Sequence, residues 1–175
     1  MTVVAIHNGF YADIRVHETL EWLNDSLGSD LRICSASWNY GVLERQLDLR
    51  AVSIRAAAEA DVILVAATEP LPNHIERWLD ASLREQPQHH RAALIALDDD
   101  DDNDAGDGSA NLCSSLKQLA CRWQTEFMCN HDLDQHLNHD CALRLLRRKG
   151  EGMQSWRQPF GSDFYSAPAC WGING

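Results

Sequence analysis

The chain has 175 residues, 45% hydrophobic and 23% charged, with a formal net charge of −11 at pH 7. That length suits one domain with a sizeable core, and no apolar run approaches the roughly 18–20 residues of a membrane-spanning helix. The acidic balance offers no basic face to neutralise phosphates, which argues against nucleic-acid binding.

The N-terminus, MTVVAIHNGF, has no basic leader and enters a strand-like run at once, so no signal peptide is expected and the cytoplasm is the expected location. Thr2 to Ile6 predicts a first strand, closed by His7-Asn8-Gly9. Asp13 is the expected N-cap of a first helix with the stripe Val16, Leu20, Leu23 and Leu27, and Gly28 is its stop. Leu31 to Ala36, with Arg32 and Ser35 interleaved, predicts a strand near the sheet edge. Leu43, Leu47, Ala51, Ile54 and Ala58 then recur at three- and four-residue spacing and predict one long second helix with that stripe inward.

Val62 to Ala67 is an unbroken apolar run entered from Ala60-Asp61 and closed by Glu69-Pro70, the pattern of a strand buried on both faces. Ile75, Trp78, Leu79, Ser82 and Leu83 mark one stripe of the helix that follows. After the loop Gln86 to His90, Ala92 to Leu97 predicts a fourth strand. Leu112, Leu116, Leu119, Ala120 and Trp123 predict the next helix, and Thr125 to Cys129 a short fifth strand. Leu133, Leu137, Cys141 and Leu145 support a last helix, whose final turn holds Arg144, Arg147, Arg148 and Lys149 before Gly150 at the expected C′ position.

Strands alternating with helix-length crossovers predict an α/β fold: a three-layer, doubly wound, five-stranded parallel sheet in the flavodoxin-like order 2-1-3-4-5. Residues 1–150 form that domain, and 151–175 form a tail. The tail carries Trp156, Phe160, Phe164, Tyr165 and Trp171, five of the chain's thirteen aromatics. Large rings left in water forgo about 1.5–3 kcal/mol of burial each, so the tail is expected to pack on its own domain or on a partner, including a second copy.

Ligands of such sheets bind beyond the carboxyl ends of the strands at the switch point. The expected crevice is lined by His7, Asn8, Tyr11, Thr68 and Glu69, with Asp98 and Asn130 or His131 flanking it. Other chemistry fits less well. Seven aspartates between Asp98 and Asp107 hold most of the excess charge. As a calcium loop opening at Asp101 they put Ala105 at position 5 and Leu112 where a bidentate Glu is required, so a solvated acidic loop is expected. His131, His136, His139 and Cys141 do not converge from one helix as a tetrahedral site must, so no metal is expected. The six cysteines have no paired spacing and are expected to be reduced and buried, with Cys170 the most open to oxidants.

Ala60-Asp61, the run Ile63 to Val65, Pro70, Pro72, Ile75 and Trp78-Leu79-Asp80 together form a local pattern. This stretch, about 20 of 175 residues, resembles the flavodoxin-like NADPH-dependent flavin reductases. The resemblance implies the same fold, FMN as a cofactor and flavin-dependent reduction by NAD(P)H. Leu71 stands where that family keeps a ring-stacking aromatic, and HNGFYAD stands where it has a Ser/Thr- and Gly-rich phosphate loop. Receiver domains share the sheet order but carry an acidic pair, a phosphorylatable Asp and a Lys where this chain has His7-Asn8, Thr68 and Asn130. The expectation is therefore a non-catalytic binding or signalling module with no cofactor and the tail as contact surface. The alternative is a flavin-dependent reductase with an altered phosphate loop that still binds FMN.

Overall fold

The computed structural model describes residues 1–28, 31–98, 112–130 and 136–154. The expected acidic loop beyond Asp98, His131 and the segment 155–175 lie outside the described residues.

Five strands form one parallel sheet: β1 (Thr2–His7), β2 (Cys34–Asn39), β3 (Val62–Ala67), β4 (Ala93–Asp98) and β5 (Phe127–Cys129). Their order is β2-β1-β3-β4-β5, the flavodoxin-like arrangement. β3 is buried at all six positions and lies between β1 and β4, which its unbroken apolar run requires. β2 is exposed or half-exposed throughout, as an edge strand permits. It lies three residues later than Leu31 to Ala36 suggests. Leu31 is buried beneath the sheet instead of pairing in it, and the first ladder partner of Thr2 is Cys34.

Helices cover both faces. α1 (Phe10–Leu27) and α6 (His136–Gln154) contribute Val16, Leu23, Leu27, Ala142 and Leu146 to one core layer. α2 (Tyr40–Arg45), α3 (Leu47–Ala58), α4 (Asn73–Glu85) and α5 (Leu112–Trp123) build the other around Trp78, Leu79, Leu83 and Leu116. No described helix is long and apolar enough to cross a membrane.

Several local expectations shift. α1 begins at Phe10 with Gly9 as N-cap, so Asp13 lies in the first turn and is not the cap. Gly28 ends the helix at φ 77, a left-handed conformation that costs glycine no Cβ clash. The single long second helix is broken at Gln46 into α2 and α3. In α6 the inward residues are Ala142 and Leu146, one position on from Cys141 and Leu145, and Cys141 is exposed. Gly150 does not end that helix. It lies buried inside it, where a Cβ would meet the side chain of Leu31, the nearest atoms including Cδ1 at 3.0 Å and Cγ at 3.1 Å. Among the described residues five cysteines are free, but Cys34, Cys121 and Cys141 are exposed and Cys113 and Cys129 only half-buried, so the expected burial does not hold for them.

The largest departure is in α3. Its predicted stripe is turned off the core: Leu47 is 73% exposed, Ala51 is exposed and Ile54 packs on the core only half-buried, while the helix buries Ser53 and Ala57. The cause is α4. Trp78 is fully buried, and its indole N–H donates to Ser53 Oγ at 2.8 Å, deep in the core. Ser53 Oγ–H donates in turn to the Arg50 carbonyl at 2.8 Å. Buried Gln86 fixes the other end of α3, donating to the Ala57 carbonyl at 2.8 Å and accepting from the Ala92 N–H at 2.9 Å. A buried donor without a partner costs about 1–3 kcal/mol, and a leucine facing the indole would overpack the site by a similar amount. Together these outweigh the pull of the stripe and turn the helix by about one residue step, roughly 100°.

At the strands' N-terminal edge, buried Asp61 accepts the Thr2 N–H at 2.6 Å and faces His90 Nε2 at 3.3 Å. The end of α6 is held there too, by Lys149 Nζ on Glu126 Oε2 at 2.7 Å and on the Arg91 carbonyl. Burial pushes the Glu126 carboxyl up. The Lys149 hydrogen bond and charge, a backbone hydrogen bond and Arg148 outweigh that and leave it below its ordinary 4.5. A carboxyl lowered on folding stabilises the fold above its unfolded value, and that contribution is lost as pH falls through the folded one. In Lys149→Met the Glu126 carboxyl, followed by NMR titration, should move up, and the loss of stability below pH 4.5 should become shallower. An unmoved carboxyl would show that Lys149 does not set it.

Candidate functional site

The carboxyl ends of β1 and β3 meet at the switch point, where the crossover to β2 and the crossover to β4 leave in opposite directions. Each strand end has orphan backbone groups, and here asparagine side chains answer them. An amide side chain carries one carbonyl and one NH₂, so it can imitate the next peptide of a ladder. Asn8, just after β1, donates from Nδ2 to Thr68 Oγ1 at 3.3 Å and accepts the Thr68 N–H at 3.3 Å. Asn130, just after β5, donates to the Asp98 carbonyl at 2.9 Å and accepts the Asp98 N–H at 3.5 Å. Asn39, at the end of β2, accepts the Gly41 N–H at 2.8 Å and caps α2.

The six expected lining residues therefore separate into groups. Asn8 and Thr68 come together as a latch across β1 and β3. Asn130 closes a second latch across β4 and β5, adjacent along the rim because Ala67 of β3 pairs with Asp98. Glu69 is exposed beyond β3. Tyr11 stands in the first turn of α1, 74% exposed, beside an equally exposed Phe10, with ring centroids 5.8 Å apart and planes at 72°. Ile14, one turn on, is exposed as well. Leu71, after the strand-end proline, is buried in the core.

His7 belongs to a cluster that the sequence reading missed. Its Nε2 lies 3.4 Å from Asp13 Oδ1, and its Nδ1 is 3.2 Å from the Gly9 carbonyl. The same Asp13 oxygen lies 3.5 Å from His17 Nδ1, which also meets the Asp13 carbonyl at 2.9 Å. The i, i+4 spacing of Asp13 and His17 was the available signal. The Asp13 carboxylate at the start of α1 thus lies between two imidazoles. Gly9 is extended, caps the helix without a side chain, and has open space where a Cβ would stand. The loop offers backbone N–H groups to a phosphate but no hydroxyl of its own, and the nearby Thr68 hydroxyl is taken by Asn8. Among the described residues no group of three His, Cys, Asp or Glu side chains is placed to hold a metal ion. Tyr40, at the start of α2, has a buried hydroxyl with no hydrogen-bond partner among the described residues, and burial raises its phenol far above its ordinary value.

No protein-family model matches the chain, and no curated protein matches it. Among solved structures it is similar to the Streptococcus pneumonia TIGR4 flavodoxin, characterised as a novel drug target, at 13% identity and a TM-score of 0.44. That match covers 89% of this chain and 99% of the flavodoxin. The fold assignment rests on the strand order itself.

The two latches differ in burial and length, which ranks their worth. Asn130→Ala loses a half-buried 2.9 Å bond and should cost about 1–2 kcal/mol. Asn8→Ala loses two exposed 3.3 Å bonds and should cost less than about 1 kcal/mol. Urea unfolding of the two variants measures the order, and a reversed ranking would contradict the role given to Asn130.

Proposed function

We propose that the chain is a non-catalytic binding or signalling module on a flavodoxin-like sheet, meeting a protein partner through Phe10, Tyr11 and Ile14. One observation carries the reading. At the strand ends Asn8, Thr68 and Asn130 are engaged across the strands, while two aromatic rings beside them stand 74% exposed. Reaction sites leave polar groups free to meet a substrate, whereas exposed aromatics beside satisfied polar groups are the composition of an interface centre. The five free thiols accord with work in the reducing cytoplasm.

One observation favours a second reading, a flavin-dependent NAD(P)H reductase with an altered phosphate loop. The uncapped start of α1, with Asp13 drawn to His7 and His17, presents open backbone N–H groups beside two rings. There Gly9 and the first turn of α1 would face an FMN phosphate, and Tyr11 or Phe10 would lie against the ring system.

Titration of the purified chain with FMN separates the two. The module reading expects unchanged flavin fluorescence and no NAD(P)H oxidation in the presence of FMN. Saturable quenching that disappears in Phe10→Ser/Tyr11→Ser would overturn it in favour of the reductase.

A further inference from the structure

The two edges of the sheet differ. β5 is only three residues long and offers little to pair with. β2 runs for six residues, Cys34 to Asn39, and among the described residues nothing pairs with its outer side. Edge strands of soluble proteins are normally blunted by charge, proline or a bulge. β2 has no charged residue and no proline, and its ladder with β1 runs through every position without a bulge.

The direction of its free peptide groups follows from one hydrogen bond. The Cys34 N–H donates to the Met1 carbonyl at 2.9 Å, so Cys34 turns its peptide groups toward β1. That direction alternates along a strand, so Ala36 and Trp38 also face β1, while Ser35 and Ser37 present their N–H and C=O groups outward. Side chains alternate between the two faces as well. Cys34 and Ala36 share the face on which Trp38 packs with Ile6, and Ser35 and Ser37 share the face of Val3 and Ala5. On that second face α1 packs over β1, β3 and β4, and both serines stay exposed.

We infer that β2 pairs antiparallel with β2 of a second copy, joining two sheets into one across a two-fold axis at Ala36. The outward groups are arranged symmetrically about that residue. Ser35 meets the partner's Ser37 and Ser37 meets the partner's Ser35, each pair exchanging both of its main-chain hydrogen bonds. Ala36 then faces the partner's Ala36 in a pair without hydrogen bonds, where Cα atoms approach to about 4.5 Å and a small side chain fits. The exposed Cys34 comes against the partner's Trp38.

Charge favours a second copy at this edge. The chain carries −11, so two copies repel one another over most of their surface. β2 is neutral, and pairing it with itself sets no like charges opposite one another. The surface is separate from Phe10, Tyr11 and Ile14, and the module reading stands whether or not the chain dimerises.

The test uses the full chain, sedimented from micromolar to millimolar concentration. A concentration-dependent dimer is expected. Ser37→Pro removes a donor that β1 does not use, so the fold should survive and dimerisation weaken at least ~10-fold. If that variant fails to fold, Ser35→Lys/Ser37→Lys replaces it, setting like charges opposite across the pair with the same loss expected. Ala36→Cys in a Cys34→Ser background should oxidise to a disulfide-linked dimer, because a Cα separation of about 4.5 Å lies within the span of a disulfide. A chain that stays monomeric at millimolar concentration would overturn the inference. A dimer of unchanged affinity in the Ser37 variants, or one in which Ala36→Cys forms no disulfide, would overturn it too by placing the contact elsewhere.

Discussion

The hydrogen bond from the Trp78 indole to Ser53 is the constraint on which one whole layer of this protein depends. Trp78 is the largest fully buried side chain among the described residues, and its single polar atom has to be satisfied inside the core. Ser53 does this only if α3 turns its small residues, Ser53 and Ala57, toward α4. Gln86 then joins the end of α3 to the start of β4, so the helix, its neighbour and the sheet are fixed as one unit. Two consequences follow from a single indole: the close packing of α3 on α4 and the exposure of Leu47 and Leu49.

The opposite end of the sheet follows a similar logic with different residues. Parallel strands finish with unpaired peptide groups, and Asn8, Asn39 and Asn130 each meet one or both of those needs. The result is a rim on which Asn8, Thr68 and Asn130 bond across the strand ends, with Phe10 and Tyr11 exposed beside them. Such a rim holds its loops in place. Beside it α1 starts at Gly9 with no side-chain cap, and the Asp13 carboxylate lies between His7 and His17.

Much of the fold was legible in the sequence because burial wrote it there. The run Val62 to Ala67 could belong only to a central strand, and the stripe Ile75, Trp78, Leu79, Ser82, Leu83 is the buried face of α4 residue for residue. The strand order followed from those elements. Where one polar contact outweighs several apolar ones, periodicity misleads. Leu47 belongs to a regular stripe yet faces water, because no pattern of hydrophobic spacing registers that an indole 25 residues away needs an acceptor. Gly150 misled for a related reason: a glycine after a basic turn resembles a helix stop, yet here it admits Leu31. At the rim, the rule for doubly wound sheets located Asn8, Thr68 and Asn130. That these side chains bond across the strand ends, and that His7 joins Asp13 and His17, depends on rotamers that spacing does not encode.

The central claim is that Ser53 holds α3 by accepting from Trp78, and a double-mutant cycle between them tests it directly. Ser53→Ala, Trp78→Phe and the double variant are unfolded in urea, and the coupling energy is read from the four stabilities. The account predicts that Ser53→Ala costs about 1–3 kcal/mol in the presence of the indole and close to nothing once Phe replaces it, a coupling of about 1 kcal/mol or more. Additive costs would contradict it, leaving the rotation of α3 to some other cause.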